Sequence, residues 1–147
     1  MELKNRLETA LKEAMRSNNE VTRRTIRMVL SAVKFAEVDK GIVLDDTALL
    51  GIIQKEVKSR NEAISEAQRA NRNDLVEANQ AEITVLETFL PKQLSQTEVN
   101  EMVLQAIAEA QASSMTDMGK VMKILMPKLQ NRVAGDIISQ TVRKHLS

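Results

Sequence analysis

Apolar positions recur along this chain at intervals of three and four, the period of an α-helix with one buried face, from the third residue almost to the last. Leu3, Leu7, Ala10, Leu11, Ala14 and Met15 form the first stripe and predict a helix over 2–17, ended by Asn18 and Asn19. Thr22, Ile26, Val29, Leu30, Val33 and Ala36 form the second, over Glu20 to Lys40, with Gly41 suited to the left-handed position that follows a helix. Asp45 and Asp46 read as N-cap residues rather than catalytic carboxylates. The third helix they open runs to about Ala70 on Leu49, Ile52, Ile53, Val57 and Ile64, with Lys55, Lys58, Arg60, Glu62 and Glu66 outside. The turn Asn71 to Asp74 separates it from a fourth, built on Leu75, Val76, Ile83, Leu86, Phe89 and Leu90 and stopped by Pro91.

Pro91 bars helical continuation, and Ser95 with Glu98 makes a capping box for whatever follows, so the best domain boundary lies between them. A fifth helix, Gln96 to about Ala110, buries Val99, Met102, Val103, Ala106 and Ile107. A sixth begins at Met115, where Ser114 caps it and Asp117 reaches back. It buries Met118, Val121, Met122, Leu125 and Leu129, and Pro127 kinks its last turn. A seventh runs from Asp136 to the end on Ile137, Ile138, Val142 and Leu146. Nothing alternates apolar and polar over a useful length, so no strand is expected. The chain is predicted to be all-α: an N-terminal four-helix domain over 1–93 and a small three-helix bundle over 94–147.

Composition bounds what such a molecule does. A chain of 147 residues buries about two thirds of the surface its unfolded form exposes, enough for a core without staples. Hydrophobic content is 43% and charged content 28%, and no apolar run approaches the roughly 20 residues of a membrane helix. The first residues carry acids among their bases and have no apolar stretch before a cleavage site, so no secretory signal is expected. With no Cys there is neither disulfide nor thiolate chemistry, which fits a reducing cytoplasm, the expected location. Net charge is +1, so polyanion binding must come from local patches. Phe35 and Phe89 are the only aromatics, too few for base-stacking platforms.

Two patches stand out. From Met118 to Gly135 there are four cations, Lys120, Lys123, Lys128 and Arg132, and no acid. Gly119 lies beside them in the first turn of a helix whose free N–H groups favour an anion. These residues are either a solvated helix face or a phosphate-binding surface, and Gly119 is small either for a ligand or for a neighbouring helix. On the second helix, Arg23, Arg24 and Arg27 can converge on phosphate through their rigid donor forks, or can pair with Glu20 and with acids of adjacent helices. Met115, Met118, Met122 and Met126 form a band that either fills the core or grips a partner helix.

Reaction chemistry finds little support. Covalent catalysis needs an activated nucleophile, and there is no Cys and no base placed to activate a Ser. His145, in the last turn of the final helix, is explained by the helix dipole. No P-loop, dinucleotide fingerprint or HExxH motif occurs, and neither cofactor nor metal is expected.

With these residues laid out, the chain resembles the YqeY family from end to end, and its tail resembles the last domain of GatB, the tRNA-handling subunit of the aspartyl/glutamyl-tRNA amidotransferase. The resemblance rests on Thr25, Ile26, Arg27, Met28; on Gln54, Lys55, Glu56, Val57 with Lys58 and Arg60; on Asn71, Arg72, Asn73, Asp74, Leu75; on Leu90, Pro91, Lys92, Gln93, Leu94, Ser95; and on Asp117, Met118, Gly119, Lys120, Val121, Met122. It departs from the family pattern at Lys123, where the family carries Gly, and at Asn131, Val133 and Ala134, in a turn where the family has Gly and an acid. What the resemblance implies is a free-standing tRNA-binding accessory module. It is associated by family with carbon–nitrogen ligase chemistry that uses glutamine as amido donor, and it lacks catalytic residues of its own. The alternative is a helical module that binds an aminoacyl-tRNA synthetase or an amidotransferase protein. Neither DNA nor a membrane is an expected partner.

Overall fold

The computed structural model describes residues 2–147, and among them there is no strand. Seven α-helices follow in order: α1 (Glu2–Arg16), α2 (Glu20–Lys40), α3 (Asp46–Arg69), α4 (Asn73–Glu87), α5 (Gln96–Ala110), α6 (Met118–Leu129) and α7 (Gly135–Leu146), with a single 3-10 turn, Met115–Asp117, before α6. Among the described residues, no helix is long and apolar enough to cross a membrane.

Local chemistry sets most of the boundaries. Asn18, at φ +56°, closes α1, and Asn19 accepts from the Thr22 backbone N–H to open α2. Gly41, at φ +66°, ends α2 and returns its N–H to the Glu37 carbonyl. Such a left-handed residue satisfies carbonyls that the last turn leaves free. Asn71 and Asn131 take the same conformation after α3 and α6, as does Gln111 after α5. Asp45 accepts from the Ala48 N–H at 2.9 Å as the cap of α3. Asp46 instead accepts from the Leu3 N–H at 3.4 Å, so it serves the start of α1. Ser95 and Glu98 form the full capping box of α5.

Three expectations are corrected. Ser114 makes no cap bond, because its hydroxyl is shared with Thr116 at 2.7 Å, and the chain winds one 3-10 turn before α6 begins at Met118. Helix α4 stops at Glu87, before Pro91, and Phe89 is buried from the turn beyond. Some residues counted on buried stripes are exposed: Met15 near the end of α1, Leu75 near the start of α4 and Ile137 near the start of α7.

The chain divides into two compact units, one ending at Leu90 and one running Pro91–Ser147. In the first, α1 to α4 enclose Leu3, Leu7, Ile26, Val29, Val33, Leu44, Leu49, Ile53, Leu86 and Phe89. Arg6 stacks over the Phe89 ring at 5.7 Å. In the second, α5 to α7 enclose Val99, Val103, Ala106, Val121, Leu125, Leu129, Val133, Ile138, Val142 and Leu146. The second unit begins at Pro91 because the segment after it is stitched to the α6–α7 turn. Leu94 donates its N–H to the Arg132 carbonyl at 3.1 Å, and the Gln93 side chain donates to the Asn131 carbonyl at 2.9 Å.

Candidate nucleic-acid interface

Helix α6 turns Val121, Leu125 and Leu129 into its bundle and holds Met118 and Met122 half-buried against the same core. Periodicity then sends Lys120 and Lys123 outward on the opposite side, adjacent and both exposed. Gly119 is exposed too, and a methyl group added there meets no atom within 4 Å. Close helix packing therefore does not explain that glycine. Lys128 also projects from α6, about 12 Å farther along its axis at 1.5 Å per residue. Arg132 follows in the turn, half-buried, with its Nε 3.5 Å from the Lys92 carbonyl.

The ion pairs among these cations are loose. Lys120 Nζ is 3.7 Å from Asp117 with its side chain 73% exposed, and Lys128 Nζ is 3.9 Å from Glu109 with both side chains open to solvent. Pairs of this kind hold little energy and yield to a stronger anion. Lys123 has no ion pair among the described residues. Asp117 is the one acid in the turn, and its carboxylate accepts from the Ser113 backbone N–H at 3.0 Å. That hydrogen bond, with the nearby Lys120 charge, holds the Asp117 carboxyl below the usual range. It stays ionised, turned back along the chain. Lys92, Arg143 and Lys144 add charge to the same unit, which carries seven Lys or Arg against five acids, a net +2.

The arginines of α2 have a different setting. Arg23 pairs with Glu20 at 2.6 Å and Arg24 with Glu82 of α4 at 3.2 Å. Arg27 has no carboxylate partner among the described residues; its nearest polar neighbour is the Met15 sulfur at 4.0 Å. All three line an open-sided cleft of about 440 Å³ with Met28, Ser31 and Glu56. Two of the three are thus engaged by acids.

Sequence reasoning placed Arg60 outside, and this is corrected: its side chain is 7% exposed between Glu56 at 2.6 Å and Glu82 at 2.8 Å. It also donates to the Met28 sulfur at 3.6 Å. Burial pushes the guanidinium pKa down, but the hydrogen bonds and charges of the two glutamates outweigh it and the net direction is up. Glu82 receives both Arg60 and Arg24, so one carboxylate ties α2, α3 and α4 together. The signal was present in the sequence: Arg60 lies three residues after Val57 and four before Ile64, on the buried stripe.

A family model described as Yqey-like protein matches residues 4–146, almost the whole of this helical pair of units. The chain belongs to the YqeY-like family. Among its curated relatives is Altered inheritance of mitochondria protein 41, mitochondrial. The form from Pyrenophora tritici-repentis is 36% identical over 80% of this chain and 67% of its own length. That from Lachancea thermotolerans is 32% identical over 74% and 59%, and that from Kluyveromyces lactis 35% over 73% and 60%. The YqeY-like chain spans about three fifths to two thirds of the length of these relatives. These relatives are named as mitochondrial proteins, which overturns the cytoplasmic expectation. A sequence without cysteine fits any reducing compartment and does not single out the cytoplasm.

Proposed function

We propose that this YqeY-like chain binds tRNA through the outer face of α6, as an accessory module without catalytic residues of its own. The observation that carries the reading is the pair Lys120 and Lys123, exposed beside an open Gly119 with only one loose ion pair between them. A polyanion approaching that face displaces counterions and meets no bulky side chain at Gly119. The likeness of the tail to the last domain of GatB supplies the substrate class. Lys128, Arg132 and Lys92 extend the contact along the same unit. Contacts of this kind recognise backbone and shape rather than base identity. The α2 arginines are left outside this reading, since Glu20 and Glu82 engage two of them.

Filter binding of the purified chain to bulk tRNA at low and moderate salt tests it. Changing Lys120 and Lys123 together to Glu lowers affinity about tenfold or more at low salt, and it reduces the slope of log K against log salt by about 1.4 to 1.8. Unchanged affinity removes the α6 surface from consideration. The second reading, a module that grips an aminoacyl-tRNA synthetase or amidotransferase protein, draws on Met115 and Met126, which are exposed while Met118 and Met122 pack on the core. Co-purification of such an enzyme that survives the double change favours it.

A further inference from the structure

Helix α2 buries one face in its four-helix unit, and the opposite face carries a second, outward pattern. Arg24, Met28, Ser31, Phe35 and Val38 are spaced four, three, four and three apart, the seam of two helices packed side by side, and Ile42 follows just past the helix end. The apolar members are open to solvent: Phe35 is 76% exposed, Val38 75%, and Met28, Ile42 and the adjoining Val43 are also exposed. The amino-terminal half of the same face borders the cleft of about 440 Å³ lined by Arg24, Arg27, Met28 and Ser31. One half of the face is a cleft walled by Arg23, Arg24 and Arg27 together with Glu20 and Glu56, and the other half is an apolar knob.

We propose that this face is a self-association surface, on which α2 of a second copy lies antiparallel. One register matches the middle of the face and its charged end. Arg24 bonds Glu82 through Nε alone, and its half-exposed side chain keeps its terminal N–H groups for a second acid; setting it opposite Asp39 of the other copy brings Met28 opposite Phe35 and Ser31 opposite Ala32. Phe35 then enters the other copy's cleft beside the Met28 sulfur, a favourable partner for an aromatic ring, and within reach of the Arg27 guanidinium that lacks a carboxylate. Asp39, which has no ion pair among the described residues, supplies the acid. The small Ser31 and Ala32 meet at the crossing, where the backbones approach most closely. A two-fold axis makes both halves identical, so each copy gives one knob and one hole. A parallel arrangement would set Arg24 against Arg24 and leave both clefts empty. An unrelated helix would have to bring both an acid and an aromatic at this spacing, whereas the face itself already holds both.

Sedimentation velocity on the full chain, from micromolar to near-millimolar concentration without RNA, tests the proposal. A concentration-dependent monomer–dimer equilibrium is expected. Phe35→Asp raises the dissociation constant about 30-fold or more, as for the loss of an interface anchor, and Asp39→Arg raises it less. Leu104→Asp, at an exposed apolar position of α5, leaves it unchanged. Circular dichroism of each variant at low concentration matches the wild type, since these side chains are exposed in the single copy. A chain that stays monomeric throughout, a dimer indifferent to Phe35→Asp, a dimer weakened equally by Leu104→Asp, or association that needs added RNA or another protein each overturns the assignment.

Discussion

Arg60 is the residue on which the first unit's polar interior turns. Its guanidinium satisfies Glu56 and Glu82 at once, and Glu82 in turn holds Arg24. Removing it leaves two carboxylates largely out of water facing each other across a vacated space. Arg60→Ala is therefore expected to cost about 3 kcal/mol, the lower end for breaking a buried pair, because both glutamates keep some solvent contact. Urea denaturation reads this directly, and a loss below 1 kcal/mol, on the order of an exposed pair, would show that water replaces the arginine. Thr25 presents the opposite case. Its hydroxyl is buried on α2 with no hydrogen-bond partner among the described residues. An unsatisfied polar group carries its desolvation penalty uncompensated, so Thr25→Val, close in shape, is expected to stabilise the fold by about 1 kcal/mol. A destabilised variant would mean the hydroxyl finds a partner, such as a water.

At the level of single helices, ends proved more legible than faces. Gly41, Asn18 and the Ser95–Glu98 box could be read from sequence because capping depends on residues within one turn of each other. The start of α6 could not, since Ser114 and Thr116 bond one another and Asp117 turns back to Ser113, a choice among equivalent local partners. The sidedness of Arg60 was lost by treating charge as proof of exposure, although its spacing from Val57 and Ile64 said otherwise. That Lys120 and Lys123 share an open face with Gly119 followed from period alone; that Glu20 and Glu82 engage the α2 arginines required the fold. The capping box of α5 also carries a pH signature. Glu98 titrates below its ordinary value, held there first by the Ser95 backbone N–H and then by the Ser95 hydroxyl. A depressed carboxylate takes up its proton less readily in the folded chain than in the unfolded one. The box thus adds stability above the ordinary glutamate pKa of about 4.3, and that increment disappears as pH falls through the lower folded value. Glu98→Gln lowers Tm at neutral pH, and its gap to the wild type closes on acidification. A gap that stays constant through that window would assign the effect to shape rather than charge.

For the molecule as a whole, the two buried clusters share no residue, and each is closed by its own helices. The charge is divided as well: net −1 up to Leu90, with 14 cations and 15 acids, and net +2 beyond it. Cooperativity passes through shared buried surface, so separate clusters favour separate transitions. The second unit has the size at which a chain buries only about 60% of its unfolded surface, which makes it the weaker of the two. Denaturant unfolding of the full chain, followed by helical signal, is expected to resolve two steps with the second unit melting first. Paired substitutions identify which step belongs to which unit. Arg60→Ala, inside the first cluster's polar tie, shifts only the later step. Ser95→Ala, which removes the α5 cap at a cost of about 1 kcal/mol, shifts only the earlier one. If either substitution moves both steps together, or a single transition responds to each, the units fold as one body. The surface proposed on α6 would then depend for its stability on the arginine network around Glu82, and Arg60→Ala would lower the denaturant concentration at which the α6 face is lost.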